Sequence, residues 1–500
     1  MTVPLMPKKN VTPALALPPR GAEPSATRWL AAALRTEILD GRLRPGARVP
    51  ATRQLARAYG LSRGTIVSAF DQLKAEGYVD GNIGSGTYVN RVLPDDLLEV
   101  PRAIRRAGPP RRPPSRHLSD LGARVSEFSG LEARPTRAFR ANIPALDLFP
   151  TTLWAQVESR RCRRATTSLL LGCGPMGYRP LQEALADHLS TSRGVQCRAE
   201  QVAIVSGVQE GLDLAARLFV NSGDRVCMED PGYPGAALVF EAMGAKVLPV
   251  PLDDEGMMVP GARQAGSRLA YVTPGHQFPT GISMSLPRRM ALLEWARQAG
   301  AVIFEDDYDS EYRYTGRPMP ALQGLDRHGL VLFAGSFSKV LFPSLRLGYL
   351  VVPTDLIDQV SAIQSITVRH APTISQAVLC DFITDGHFGR HLRRMREIYA
   401  ERSRVLVECV RQQLAGLLEI SGIEAGLQTA GWLGGGMTGV ALATAAARRD
   451  VEVAPLSQYT RRRATREGVH LGFAAVDVPE IRRGVRELAM ALAGAVPTSA

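Results

Sequence analysis

The sequence predicts an α/β protein with a small N-terminal helical domain and a large domain built on a mostly parallel sheet between helices. At 500 residues the chain is too long for one ordinary domain. Its charge is unevenly placed, since residues 1–140 carry 23 Lys and Arg against 12 Asp and Glu, whereas the rest carry 37 against 36. Beyond residue 136, short apolar runs alternate with helical stretches, a pattern that favours parallel strands joined by helices.

Composition excludes several classes of protein. The six cysteines are scattered without a CxxC pair, which argues against a disulfide framework and a zinc ribbon. We therefore predict no metal site. The N-terminus lacks the apolar segment of a signal peptide, and no apolar run approaches the roughly 18 residues that a membrane helix needs. We expect a cytoplasmic protein that does not contact membranes.

Residues 28–90 combine helical periodicity with turn signals. The pattern predicts a helix over RWLAAALRTEILDG that ends near Gly41, and two further helices, TRQLARAYG and LSRGTIVSAFDQLKAEG, that Gly60 separates. That spacing is typical of a helix-turn-helix, and Ser62 is in position to cap its second helix. The segment YVDGNIGSGTYVN then alternates like a hairpin around a glycine-rich tip, which predicts a wing.

The basic charge of this region fits either a nucleic-acid-binding module or a solvated basic tail. Its motifs resemble the winged helix-turn-helix of the GntR superfamily, in PGARVPATRQLA, LSRGTIVSAFDQLKAEGYV and GSGTYV. The resemblance implies a DNA-binding domain over residues 22–91, although exposed arginines there could also serve only for solvation. It implies DNA contacts from Arg53, Ser62, Arg63 and Thr65, and from Gly84, Ser85 and Gly86 at the wing tip.

Residues 92–136 read as a linker. Periodicity fades there, and RRAGPPRRPPSRH is proline-rich and basic, so the segment should be extended and semi-rigid. Its arginines would either add phosphate contacts that do not depend on DNA sequence or keep a simple spacer soluble.

Polar side chains follow three of the predicted strands of the large domain. Ligands in such sheets bind beyond the carboxyl ends of the strands. After VAIVSG, backbone amides open a helix, a ready site for phosphate. After AVIFE come carboxylates and a phenol, and after GLVLFAG come hydroxyls, an amine and a guanidinium. Together they describe a pocket for pyridoxal phosphate, built from Gly207, Val208, Gln209, Asp306, Asp307, Tyr308, Ser336, Ser338, Lys339 and Arg346.

Residues 137–500 resemble the fold-type I, class I aminotransferases, with a small C-terminal α+β subdomain. The motifs SGVQEGL, EDPGYPGA, TPGHQFPTG, EDDYDSEYRY, GSFSKVLFPSLRLGY and LGFA occur in the order of that family. The resemblance favours Asp306 over Asp307 as the partner of the cofactor ring nitrogen. It further implies that Lys339 forms the internal aldimine, Tyr308 binds the 3′-oxygen, Tyr233 stacks on the ring, and Ser336, Ser338, Arg346 and the amides of Gly207, Val208 and Gln209 hold the phosphate.

Four positions depart from the aminotransferase pattern. Cys173 stands where a tyrosine is common, Gln182 replaces an arginine, and Phe278 replaces an asparagine that bonds the ring oxygen. His470 stands where aminotransferases carry the arginine that grips a substrate carboxylate. His470 would bind a carboxylate if protonated, or else it is a structural residue. The loss of the arginine argues against amino-acid turnover.

Over nearly its whole length the chain resembles the MocR (PdxR, GabR) regulators. The resemblance implies a bacterial, cytoplasmic regulator that joins the nucleoid when it binds double-stranded operator DNA as a head-to-tail homodimer. Pyridoxal phosphate, alone or with an amine or amino acid, would be its effector, with genes of vitamin B6 or of amino-acid and amine metabolism as targets. Two alternatives stay open: an active aminotransferase that also binds DNA, and a regulator whose large domain is a cofactor-free scaffold.

Overall fold

A computed structural model describes residues 15, 17–18, 25–82, 86–94, 117–125, 135–316, 319–462 and 466–495. The chain divides into two compact units, Met1–Arg116 and His117–Ala500. Most of the predicted linker lies outside the described residues, and within it the structure shows one short helix, α4, at Asp120–Val125. The boundaries of the three predicted segments stay predictions.

The N-terminal unit contains the predicted helices and hairpin. Helix α3 begins where expected, because the Thr65 N–H donates to the Ser62 hydroxyl over 3.1 Å and so caps the helix. Gly60 ends the preceding helix in the left-handed conformation, with φ +63°. Strands β1 and β2 pair antiparallel. The elements are α1 Ala26–Leu39, α2 Thr52–Tyr59, α3 Arg63–Ala75, β1 Val79–Asn82 and β2 Gly86–Val89.

The larger unit is organised around an eight-stranded sheet. Its strands are β3 Val202–Val205, β4 Arg225–Asp230, β5 Lys246–Asp253, β6 Gly256–Met257, β7 Ser267–Val272, β8 Val302–Asp307, β9 Val331–Ser336 and β10 Gly348–Val351. They lie in the order β3-β10-β9-β8-β7-β4-β5-β6. Strands β5, β4, β7, β8 and β9 are parallel to their neighbours in this series, whereas β10 is antiparallel to both β3 and β9.

The apolar runs VAIVSG, RVCMED, RLAYVTP, AVIFEDD and GLVLFAG predict strands, and the structure has β3, β4, β7, β8 and β9 there, so that prediction is confirmed. Three strands were not predicted. Two prolines weaken the strand signal of β5, and β6 has only two residues. All four residues of β3 and of β10 are buried, as a sheet covered on both faces requires.

Helices cover the sheet on both faces. No helix in the described part of the chain is long and apolar enough to span a membrane. The helices are α5 Thr151–Arg163, α6 Thr167–Leu171, α7 Arg179–Arg193, α8 Val208–Phe219, α9 Pro234–Ala242, α10 Leu286–Ala299, α11 Leu322–Leu325, α12 Phe337–Val340, α13 Ile357–Thr367, α14 Thr373–Thr384, α15 His387–Gln413, α16 Gly439–Ala447 and α17 Val478–Ala495.

The C-terminal part of this unit contains a smaller antiparallel sheet. Its strands are β11 Leu418–Ile420, β12 Gln428–Leu433, β13 Ala454–Pro455 and β14 Gly468–Gly472, in the order β11-β12-β14-β13. Helices α15, α16 and α17 contribute buried apolar residues to the core around it. The predicted small α+β subdomain is therefore confirmed.

Candidate functional site

Lys339 lies on the short helix α12, directly after strand β9. The hydroxyl of Ser336 caps this helix by accepting from the Ser338 N–H over 3.2 Å. The Nζ of Lys339 donates to the Asn142 carbonyl over 2.7 Å. Burial lowers the pKa of this amine to about 8, although Asp309 and Asp306 oppose the shift. Near neutral pH a minor part of the Lys339 side chains is therefore uncharged, and the uncharged amine is the nucleophilic form.

Asp306 is, with Asp309, one of the two carboxylates that act electrostatically on this amine. Its Oδ2 accepts a 2.8 Å hydrogen bond from the Tyr271 hydroxyl, and its buried Oδ1 has no hydrogen-bond partner. Burial raises its pKa to about 7, while the bond from Tyr271 lowers it. Asp307 points to the opposite side of the strand, where Arg193 Nε bonds it over 2.7 Å.

Gly207 and Arg346 meet at the beginning of helix α8. Gly207 has φ +103°, and a Cβ built on it would lie 3.3 Å from both terminal nitrogens of the Arg346 guanidinium. Arg346 is itself left-handed, with φ +51°. The free amides of the first helical turn begin at Val208, so a helix N-terminus and a guanidinium converge there. The side chain of Gln209 instead donates to the Tyr233 hydroxyl over 2.7 Å.

A cluster of aromatic side chains lines the site, and Phe278 is the residue that contacts all the others. Its ring lies edge-on to Tyr233 at 5.6 Å between centroids, to Tyr308 at 6.1 Å, to Tyr459 at 5.2 Å and to His470 at 5.3 Å. Tyr233, from the large sheet's side, and Tyr459, from the small sheet's side, thus contact the same ring. This aromatic cluster therefore connects the part of the domain around the large sheet with the part around the small sheet.

A buried histidine and aspartate hold Tyr308. The Tyr308 hydroxyl lies 3.2 Å from Nδ1 of His276, and the same nitrogen lies 3.0 Å from each oxygen of Asp309. Asp309 also accepts from the Leu427 N–H over 3.2 Å. A Cβ at Gly426 would lie 2.1 Å from the His276 ring, so this approach requires glycine.

His470 is fully buried on strand β14, which lowers its pKa to about 3. The imidazole is therefore neutral at pH 7 and lacks the charge that would attract a carboxylate. Its Nδ1 lies 3.3 Å from the Tyr459 hydroxyl, and its Nε2 has no hydrogen-bond partner.

Two departures from the aminotransferase pattern occupy supporting positions. Gln182 is buried, and its Nε2 donates to the Val202 carbonyl over 2.7 Å at the start of strand β3. The Sγ of Cys173 accepts weak bonds from Thr373 Oγ1 at 3.6 Å and Gln376 Nε2 at 3.8 Å. Both residues therefore make local structural contacts.

Sequence reasoning missed six residues of the site: Asn142, Tyr271, His276, Asp309, Tyr459 and Gln428, whose Oε1 accepts from the Asn142 N–H over 2.8 Å. Tyr271 reads as one more apolar residue of a strand, and nothing local marks Asn142, Gln428 or Tyr459. A signal did exist for His276, which lies inside the TPGHQFPTG motif.

Of the predicted DNA-contacting residues, Ser62, Arg63 and Thr65 lie at the start of helix α3, whereas Arg53 lies on helix α2. Arg53 and Arg63 are exposed, and Thr65 is half-buried. The hydroxyls of Ser62 and Thr65 lie 2.8 Å apart. The Ser62 hydroxyl also caps the helix, so both hydroxyls are engaged within the protein, and contact of these residues with DNA stays a prediction.

Part of the predicted wing tip can be described. Gly86 is the first residue of strand β2 and has φ +102°. A Cβ built on Gly86 would lie 2.7 Å from Nε of the Arg48 guanidinium. Gly84 and Ser85 lie outside the described residues.

The donor set fits pyridoxal phosphate. The unpartnered, buried oxygen of Asp306 suits a protonated ring nitrogen, the glycine-opened helix beside Arg346 suits a phosphate, and Lys339 supplies the amine. Among the described residues no group of three His, Cys, Asp or Glu is arranged to hold a metal ion.

Comparisons with known proteins agree with this chemistry. The model of the aminotransferase class I and II family matches residues 139–427, and that of the gntR family of bacterial regulatory proteins matches residues 27–89. LysN, an α-aminoadipate aminotransferase from Thermus thermophilus solved with N-(5'-phosphopyridoxyl)-L-leucine, superposes with a TM-score of 0.65 at 28% identity, over 72% of this chain and 92% of that chain.

Transcriptional regulators are similar to this chain over nearly its whole length. The "probable rhizopine catabolism regulatory protein MocR" of Rhizobium meliloti is 39% identical over 96% of this chain and 97% of its own. The HTH-type pyridoxine biosynthesis transcriptional regulator PdxR of Corynebacterium glutamicum is 29% identical over 92% and 94%. Fold and site thus define a DNA-binding transcriptional regulator with an aminotransferase-like domain that binds pyridoxal phosphate. The chain belongs to the MocR-type regulators of the GntR family.

Proposed function

We propose that pyridoxal phosphate, alone or with an amine, is the effector that sets the affinity of this regulator for its operator. When bound, the cofactor supplies an aldehyde that reacts with primary amines. Lys339 would hold the aldehyde end, Asp306 the ring nitrogen, Tyr308 the ring oxygen and Arg346 the phosphate. An effector can act only by binding one arrangement of the protein better than another.

One observation carries the proposal: Lys339, with its lowered pKa, lies beside a buried carboxylate that has one unpartnered oxygen. Asp306 differs from Asp307, whose second oxygen is also unpartnered but whose carboxylate is paired with Arg193. A buried unsatisfied polar atom destabilises the fold by about 1–3 kcal/mol, a cost that a bound cofactor would remove at Asp306. The neutral His470 argues against turnover of amino acids, because it offers no charge to a substrate carboxylate. The relative named for pyridoxine biosynthesis supports target genes in vitamin B6 metabolism.

The same proposal includes a head-to-tail homodimer through the large domain. Exposed apolar side chains on two helices of this domain support it, because monomers rarely leave large apolar patches in water. Leu170 and Leu171 on α6 are 66% and 84% exposed, and Ile366 at the end of α13 is 84% exposed. Sedimentation velocity tests this interface: Leu171→Glu should give monomers, whereas Met290→Glu, on the exposed face of α10, should leave dimers intact.

Titration of a fluorescent operator duplex, taken from the region upstream of the regulator's own gene, tests the effector. We expect pyridoxal phosphate to change the operator Kd of the parent about 5-fold or more, the lower range of allosteric coupling. Lys246→Ala, which removes an exposed lysine of strand β5, should respond like the parent. Lys339→Ala should bind DNA without responding to the cofactor. Equal operator Kd values with and without the cofactor in the parent would refute the proposal.

A further inference from the structure

Two buried side chains on one face of the small sheet each have a nitrogen without a hydrogen-bond partner. They are Gln428 on strand β12 and His470 on strand β14. Gln428 is paired with Gly472, and His470 with Ala430, so the two residues are diagonal neighbours whose side chains share a face. Each unpaired nitrogen is unfavourable when buried, so the pair indicates a ligand that would complete it.

The orientation of Gln428 is fixed. Its Oε1 accepts a 2.8 Å bond from the Asn142 N–H, a donor, so the free atom is the amide nitrogen Nε2. The carbonyl of the same Asn142 accepts from Lys339 Nζ. The same Nε2 faces the Tyr308 hydroxyl closely enough to oppose the rise that burial causes in its pKa, without reaching the geometry of a hydrogen bond, which places Gln428 at the cofactor site.

His470 offers a neutral nitrogen next to the same space. Its ring contacts Phe278 and Tyr459 edge-on, and its Nδ1 is engaged with the Tyr459 hydroxyl, so Nε2 points away from that contact. In one tautomer Nε2 donates a hydrogen bond, and in the other it accepts one. A hydroxyl group can pair with either form.

Charge disfavours an anionic ligand in this cleft. The basic side chains that act electrostatically on His470 are His276 and Lys339. His276 is already paired with Asp309, and Lys339 is the residue that holds the cofactor. The carboxylates that act on Lys339 are engaged as well, Asp309 by His276 and Asp306 by the ring nitrogen in the proposed complex, so no unpaired charge of these four groups is left for a ligand carboxylate.

We propose that the cleft beside Lys339 binds an amine that carries hydroxyl groups and no carboxylate. Its amino end faces Lys339 and the Asn142 carbonyl, and its hydroxyls pair with Gln428 Nε2 and His470 Nε2. The ring of Phe278 packs against its carbon skeleton. This inference rests on the proposed function, in which an amine acts with the cofactor, and it names the chemical class of that amine.

Titration calorimetry on the cofactor-loaded, full-length protein tests it with a matched pair of ligands. 2-Amino-1,3-propanediol and L-serine share a skeleton, and one hydroxymethyl group of the first is a carboxylate in the second. We expect the diol to bind with a Kd at least about tenfold lower. Gln428→Leu should raise the Kd of the diol about tenfold and leave the Kd of serine unchanged. Gln412→Leu, at an exposed position of α15, should change neither Kd.

His470→Arg supplies the missing charge and should reverse the preference toward serine. Its cofactor absorption band reports whether the variant folds, and Gln428→Leu provides the test if it does not. Equal or tighter binding of serine by the parent overturns the inference, and so does an unchanged diol affinity in Gln428→Leu. The inference is also overturned if neither ligand gives a binding heat. The proposed function is tested separately, by the operator response to the cofactor alone, measured without any amine.

Discussion

Tyr271 donates a hydrogen bond of 2.8 Å to one oxygen of Asp306 and leaves the other buried oxygen without a partner. The two residues come from adjacent parallel strands, β7 and β8. The bond fixes the carboxylate and stabilises its ionised form, while the second oxygen stays available to a cation such as a protonated ring nitrogen. Tyr271 is therefore expected to control how well Asp306 holds the cofactor.

Replacing Tyr271 by Phe should weaken binding of pyridoxal phosphate about tenfold or more. A hydrogen bond to a charged group contributes about 1.5–3 kcal/mol, and its loss raises the pKa of Asp306 further, so less of the carboxylate is ionised at pH 7. Absorption titrations of the cofactor between pH 6 and 9 would show the acidic limb of the binding curve at higher pH. Tyr399→Phe, which loses a buried contact to the Ala145 N–H, is the matched control. Equal loss in both variants would contradict a specific role for Tyr271.

Asp306→Asn should stabilise the cofactor-free protein at pH 8 by about 2–4 kcal/mol. The pKa of Asp306 in the folded protein is raised to about 7 from 3.8, so the folded state binds the proton more tightly than the unfolded one. The stabilisation from protonation is complete below pH 3.8 and is lost as the pH rises through 7, so the variant escapes this loss. Thermal unfolding at pH 5 and pH 8 measures it.

The neighbouring residue of the same strand supplies the control for that experiment. Asp307→Asn breaks the buried ion pair with Arg193 and should destabilise the protein at both pH values. If Asp306→Asn behaved in the same way, the raised pKa of Asp306 would not govern stability.

Gly207→Ala should weaken the binding of pyridoxal phosphate about tenfold or more and leave the binding of pyridoxal, which lacks the phosphate, unchanged. Alanine disfavours φ +103°, and its methyl group would press on the Arg346 guanidinium 3.3 Å away. Gly211→Ala, one turn further along α8, meets Phe304 only at an ordinary 3.7 Å and should bind both compounds normally. Parallel loss of pyridoxal binding in Gly207→Ala would mean that the site as a whole, and not its phosphate end, was damaged.

Arg63→Ala should raise the operator Kd about tenfold, and the slope of log K against log salt should fall by about one if Arg63 contacts a phosphate. Arg63 is exposed on the first turn of helix α3, the end that enters the groove in this motif. Arg42→Ala, which removes an arginine already paired with Glu37 and Asp40, should have little effect on either quantity. The salt dependence of fluorescence anisotropy measures both. An unchanged slope with a weakened Kd would indicate a contact to a base edge.

The sequence by itself determined the local elements and the order of the motifs. Helix periodicity, the Ser62 cap and the left-handed Gly60 set the helices of the N-terminal unit, and apolar runs marked five strands of the large sheet. These features depend on neighbours within a few residues along the chain, so a single sequence is enough to read them. Lys339 was also marked locally, by its position after a buried strand.

Only the tertiary structure decided which side chains meet. Strand alternation already implied that Asp306 and Asp307 face opposite ways, but the packing of helices on each face determined that Asp306 lies beside Lys339 and Asp307 beside Arg193. Tyr271 and Gln428 reach the site from other strands, and their roles depend on pairings between segments far apart in the chain. Burial then set the pKa values and left specific atoms unpartnered, because both depend on the surrounding density of atoms and not on local sequence.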